Sequence, residues 1–138
     1  MNLSKPVKRS KPKRAIRRKA KRKAKVHDAD KLFSQWIRMR DGWQCRVCGS
    51  PLNIQCGHLV SRRYRAIRFS PLNAVAICAR DHVFYTHRPI EWEAWVEERF
   101  PGRLAVLKAQ ALAAHEHPDY EAICEQFRAA IGLREGAR

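Results

Sequence analysis

Apolar positions along the chain fall into helical and strand spacings in turn. Leu32, Phe33, Trp36 and Ile37 share one helical face, which predicts a helix over about 31–40 with Asp30 as its N-cap and Asp41-Gly42 as its end. Trp43 to Cys48 reads as a short strand leading into a Cys-x-x-Cys turn, and Ser50-Pro51 breaks the chain. Ile54, Cys56, His58 and Val60 alternate with a period of two, the pattern of a strand. Val75 to Cys78 is short and apolar, and a helix is expected from about Ala79 through His82 toward His87. Beyond Pro89, Trp92, Trp95 and Val96 form the apolar face of a helix over 91–100, interrupted by Pro101-Gly102. Leu104, Val106, Leu107, Ala111 and Leu112 predict another. Ile123, Phe127 and Ile131 predict a last helix, opened by Pro118 or Asp119 and closed by Gly132. No internal repeat is apparent, and the mixture predicts an α+β fold.

Charge divides this pattern sharply. The 138 residues carry 29 Lys+Arg against 13 Asp+Glu, a net charge of +16. No acidic residue precedes Asp28, whereas 13 basic ones do, among them Arg14, Arg17 and Arg18. So dense a block of like charge cannot bury enough apolar surface to fold alone, which predicts a disordered basic arm over 1–27, part of 13–25 becoming helical on DNA. Counterion release favours phosphate as its partner. The folded part is then a domain over 28–100 followed by a helical extension over 101–138. No apolar run approaches the length of a membrane span, and no apolar segment follows the basic start, so a cytoplasmic protein without a membrane partner is expected.

Five cysteines change the picture again. Cys45 and Cys48 stand two residues apart, the spacing that lets two thiolates converge on one ion, and Cys78 is a third candidate. The fourth ligand stays open between Asp81, three residues after Cys78, His82, one helical turn after it, and Cys56. Cys124 lies apart in a helical pattern and reads as an ordinary buried thiol.

His58 leads directly into a loop holding Arg62, Arg63, Arg65 and Arg68. Phosphodiester cleavage needs a base to activate water and cations to stabilise charge on the phosphate, and a neutral imidazole suits the first task. Four arginines in seven positions favour phosphate contact over a merely solvated loop, and with no base-reading motif they point to recognition of backbone or shape. Asn73 could orient the imidazole or offer its amide oxygen to a metal, and His82 or His87 could hold a second, catalytic divalent cation.

The order Cys-x-x-Cys, Gly-His, Asn, Cys-x-x-x-His resembles the HNH endonucleases of the ββα-metal fold, and the string from Gln55 to Ala74 is similar to phage recombination proteins of the NinG type. The resemblance covers roughly 30–100. It implies a small zinc-stabilised ββα-metal core with flanking helices that cleaves DNA, branched or recombination-intermediate DNA in particular. It implies His58 as general base, Asn73 as the middle residue of the motif, and His82 as ligand of Mg²⁺ or another divalent cation. Cys45, Cys48 and Cys78 would hold structural Zn²⁺. A junction-cutting enzyme needs two active sites, hence a homodimer. Many HNH proteins carry an acidic residue or a second histidine where Gly57 stands, and many carry cysteine where Asp81 stands. Those departures keep a second function class in view: a zinc-stabilised nucleic-acid-binding protein without cleavage activity. An RNA-binding or ribosome-associated protein is a third, suggested by the arm alone.

Overall fold

A computed structural model describes residues 12–136. Helix α1 runs over Lys13–Arg40, about 42 Å at the usual rise per residue. The expected disordered arm is therefore helical from Lys13 onward; residues 1–11 lie outside the described part. Nothing between Pro12 and Asp41 breaks a helix, and lysine, arginine and alanine are strong helix formers. Exposed side chains can also splay their charges into water. Asp30 accordingly sits inside the helix instead of capping it. The exposed stretch 12–24 stands beyond the core, while Ala29, Phe33 and Ile37 are buried along one stripe. Asp41 ends the helix, its N–H reaching the Ile37 carbonyl and the Gly42 N–H that of Met39.

Strand β1, Ile54–His58, and strand β2, Ala74–Cys78, pair antiparallel, Ile54 opposite Cys78 and His58 opposite Ala74. Helix α2, Ala79–Thr86, follows β2 without a loop. Helix α3 spans Pro89–Arg99, α4 Arg103–Leu112 and α5 Tyr120–Glu135. The mixed α+β class thus holds. Two details differ. Trp43–Cys48 is a turn, not a strand: Gly42 and Trp43 both have positive φ (68° and 57°), and the Gly49 N–H closes on the Cys45 carbonyl at 2.8 Å. Helix α5 passes through Gly132 to Glu135, because Ile131 is still buried and glycine in a helix costs only about 1 kcal/mol.

β2 is buried along its whole length and lies between two apolar clusters. On one side Val75 packs with Leu59, Ile67, Val96, Leu104 and Leu107. On the other Ala74 packs with Phe33, Ile37 and Phe127, the two phenylalanine rings 5.3 Å apart and edge-on. Helices α4 and α5 therefore share their cores with residues before Pro101. Burial of a phenylalanine contributes about 2–3 kcal/mol, so α5 is held to α1 chiefly by Phe127. The Arg134 guanidinium adds a hydrogen bond to the Met39 carbonyl at 3.0 Å.

Candidate functional site

Two groups of polar side chains stand at opposite ends of the β1–β2 ribbon. At the Cys78 end, Cys45, Cys48, Cys78 and Asp81 bring one ligand atom each within 4.8 Å of one another, close enough to bind a metal ion. Local structure explains the convergence. The Cys45–Gly49 turn is tied to β2 by the Arg46 N–H on the Ala76 carbonyl, 2.9 Å. Cys78 is the N-cap of α2, and its Sγ accepts from the Asp81 N–H at 3.4 Å. An N-cap side chain faces the residue three positions on, so Asp81 joins the thiols, and His82, one position further round, is turned away. Of the three candidates for a fourth ligand, Asp81 is the one that lies together with the three thiols. Cys56 is excluded as well: it packs beside Phe33 and Ala74, and burial pushes its thiol up to about 12.

Cys48 Sγ lies 3.7 Å from Cys78 Sγ, and Cys45 Sγ lies 3.3 Å from an Asp81 oxygen. A disulfide needs sulfurs at about 2.05 Å, and all the cysteines are free. A tetrahedron with metal–sulfur bonds of about 2.3 Å has edges of about 3.8 Å, and the 3.7 Å between Cys48 and Cys78 is close to one such edge. Crowding shows in the protonation of the group: the Asp81 carboxylate beside it raises the Cys48 thiol to about 11. Burial raises the carboxyl of Asp81, but hydrogen bonds from the three thiols and Arg80 outweigh it and leave the net shift downward. Three thiols and a carboxylate this close form a donor set that a cation could bind by displacing the thiol protons. Cys124 is buried in α5, far from the cluster in the fold, as its helical setting implied.

At the other end of the ribbon is His58, half-buried on the last residue of β1. Its Nε2 stands 3.0 Å from the Arg68 carbonyl. A carbonyl only accepts, so Nε2 carries the proton and Nδ1 keeps the lone pair. Burial holds the imidazole below its ordinary pKa of 6.5, and the charges of Arg62 and Arg68 push the same way. The carbonyl and Asp30 oppose them without reversing the shift. The ring is therefore neutral at pH 7.

Asn73 is fully buried and is neither an imidazole partner nor a metal donor. Its amide nitrogen donates to the carbonyls of Val60 at 2.9 Å and Ile67 at 3.1 Å, and its oxygen accepts from the Val60 N–H at 2.8 Å. It thereby pins both ends of the arginine loop. That loop supplies the Arg68 carbonyl, so Asn73 fixes His58 at one remove.

The four arginines of the loop separate. Arg62 lines the cleft with His58 and His82, and among the described residues it has no carboxylate partner. Arg68 is not available to phosphate: its guanidinium forms a bidentate pair with Asp30 at 2.6 and 2.9 Å, tying the loop to α1. Arg65 turns the other way, to His117 at 3.1 Å. Arg63 is exposed and lies over the Tyr64 ring. Arg14, Arg17 and Arg18 lie on the exposed half of α1, where Arg18, Lys21, Arg22 and Lys25 line a basic notch.

His82 Nδ1 is 2.7 Å from the Gln55 amide oxygen. That oxygen accepts, so the proton sits on Nδ1 and the Nε2 lone pair is free, the arrangement in which a ligating histidine is usually held. Burial and Arg62 lower its pKa too. Gly57, one residue before His58, backs onto β2: a Cβ there would stand 2.7 Å from Ile77 Cγ2. Any larger side chain at 57 would have to displace Ile77.

One cleft residue had no signal in the loop motifs. Arg38 lines the α1 side of the cleft, its guanidinium held by the Ser34 carbonyl at 3.1 Å and placed over Trp43. Its position was readable from helical spacing, because Asp30, Ser34 and Arg38 follow one another at four-residue steps beside the Phe33–Ile37 stripe.

No family model, curated protein or solved structure matches the chain. Among the described residues no helix is long and apolar enough to cross a membrane.

Proposed function

We propose that this chain is a metal-dependent DNA endonuclease of the HNH type, acting on branched or otherwise partly unpaired DNA, with structural zinc at the thiol corner. The observation that carries the reading is the state of His58: neutral, its Nε2 proton committed to the Arg68 carbonyl and its Nδ1 lone pair left over, in one cleft with Arg62 and His82. His58 Nδ1 takes a proton from the attacking water. Arg62 and Arg38 neutralise the phosphate oxygens, and the basic half of α1 holds the flanking backbone without regard to sequence. His82 would hold a divalent cation through Nε2; such an ion supplies charge stabilisation at the scissile phosphate. Three cysteine sulfurs and one carboxylate would suit zinc better than hard cations, which prefer oxygen.

A second reading is a zinc-stabilised DNA-binding protein without cleavage. Gly57 favours it, since it leaves His82 as the single protein ligand for a catalytic ion. Plasmid and a four-way junction incubated with the purified chain in Mg²⁺, Mn²⁺ or EDTA separate the two. Metal-dependent nicking supports the nuclease. Binding of both DNAs with no cleavage in either metal supports the alternative.

A further inference from the structure

His58, Arg62 and His82 line two cavities that meet at them. The smaller, about 300 Å³, opens toward α1 and is walled by the polar side chains Asp30, Ser34 and Arg38. The larger, about 600 Å³, opens toward α2 and α3 and has a different chemistry. Tyr85, Trp92, Gly57 and Ile77 line it besides the shared residues. We propose that this larger cavity receives one unpaired nucleobase of the bound strand, so that the nucleotide beside the scissile phosphate must be unpaired. The proposal rests on the nuclease reading for the place of the phosphate.

The two cavities divide a nucleotide as its chemistry divides. Phosphate belongs on the side of Arg38 and Arg62. Beyond the shared His58, Arg62 and His82, the larger cavity adds the aromatic rings of Tyr85 and Trp92, which offer a phosphate little, whereas every base has a π-face that stacks on an aromatic ring. The recess is rigid beforehand. Trp92 Nε1 donates to the Leu59 carbonyl at 3.2 Å, and its ring stacks on Trp95 at 5.1 Å with an interplanar angle of 7°. Tyr85 stands 5.1 Å from Trp92. Little ordering cost therefore remains at binding. A base in a duplex is paired and stacked, and reaches such a recess only by being extruded; a single strand or a branch point presents it free.

The test compares two strands of equal charge: a twelve-nucleotide oligo(dT) and an abasic phosphate chain of the same length. Affinities for both, and for a blunt duplex, are measured with the full chain in EDTA. Oligo(dT) is expected to bind about ten-fold tighter than the abasic chain, the scale of stacking one base. Tyr85→Leu removes one aromatic wall and Thr86→Leu narrows the mouth from the exposed last turn of α2. Each should bring the ratio toward one, and Thr86→Leu, on the surface, serves if Tyr85→Leu does not fold. Equal affinity of the parent for both strands, or a ratio that neither variant changes, overturns the proposal. A ratio that responds to both variants, in a protein that never cleaves, sinks the nuclease reading and leaves the recess standing. Cleavage of duplex and single strand at equal rates, with a ratio of one, sinks the recess and leaves the nuclease.

Discussion

The two ends of the β1–β2 ribbon are built by different means. At the Cys78 end, four side chains converge directly and their own chemistry defines the site. At the His58 end, the functional side chains are positioned largely by groups that carry no chemistry of their own: the Arg68 carbonyl, the Asn73 amide, the Gln55 amide. A site of the first kind stands or falls with its ligands and takes the fold with it. A site of the second kind can lose its reacting group and keep the fold, yet is loosened by changes in residues that never touch the substrate.

The largest effect separates the ends by stability. Cys45→Ser, or strong chelation, should melt the domain well below the parent, since a structural metal contributes folding free energy outright; thermal unfolding and metal content of the purified protein check it. An unchanged melting temperature in metal-free protein would show that the corner is held by packing alone. Next is the base: His58→Ala should reduce cleavage about a hundred-fold or more, with melting temperature and metal content close to the parent. Asn73→Ala falls between the two classes. It leaves the half-buried Val60 carbonyl and N–H without their partner, at about 1–3 kcal/mol for each group left unpaired, while the Ile67 carbonyl keeps the Ser70 N–H, and it frees the loop behind His58. Stability and cleavage should drop together, read by denaturant unfolding and by initial rates.

The smallest expected effect is a shift in pH dependence. A base acts in its unprotonated form, so activity rises with pH through the His58 pKa. Burial lowers that pKa, which places the acid limb of the rate profile below pH 6.5. Asp30 opposes the lowering, so Asp30→Asn should move the limb further down and weaken the grip on Arg68. A limb that moves upward would mean that Asp30 acts through something other than its charge on the imidazole.

Much of the thiol corner was legible because spacing alone carries it: Cys45, Cys48 and Cys78 needed no knowledge of the fold. Asp81 was not separable from His82 until Cys78 proved to be the α2 N-cap, a backbone fact that a one-residue difference in helix start would reverse. The cleft was half legible. His58 and Arg62 stood out by neighbourhood. In sequence Arg68 looks like a phosphate ligand because its partner, Asp30, lies 38 residues away. The partners of Asn73 are backbone groups that no side-chain motif encodes. Dense charge hides the helix over the basic half of α1, although nothing between Pro12 and Asp41 breaks a helix.

Parent and His58→Ala, matched for metal content, melting temperature and affinity for a branched DNA, are assayed for strand cleavage in Mg²⁺ and Mn²⁺. Metal-dependent cleavage by the parent and a loss of about a hundred-fold or more in the variant is the expected result. Equal rates in the two proteins, or no cleavage by the parent in either metal, would contradict it.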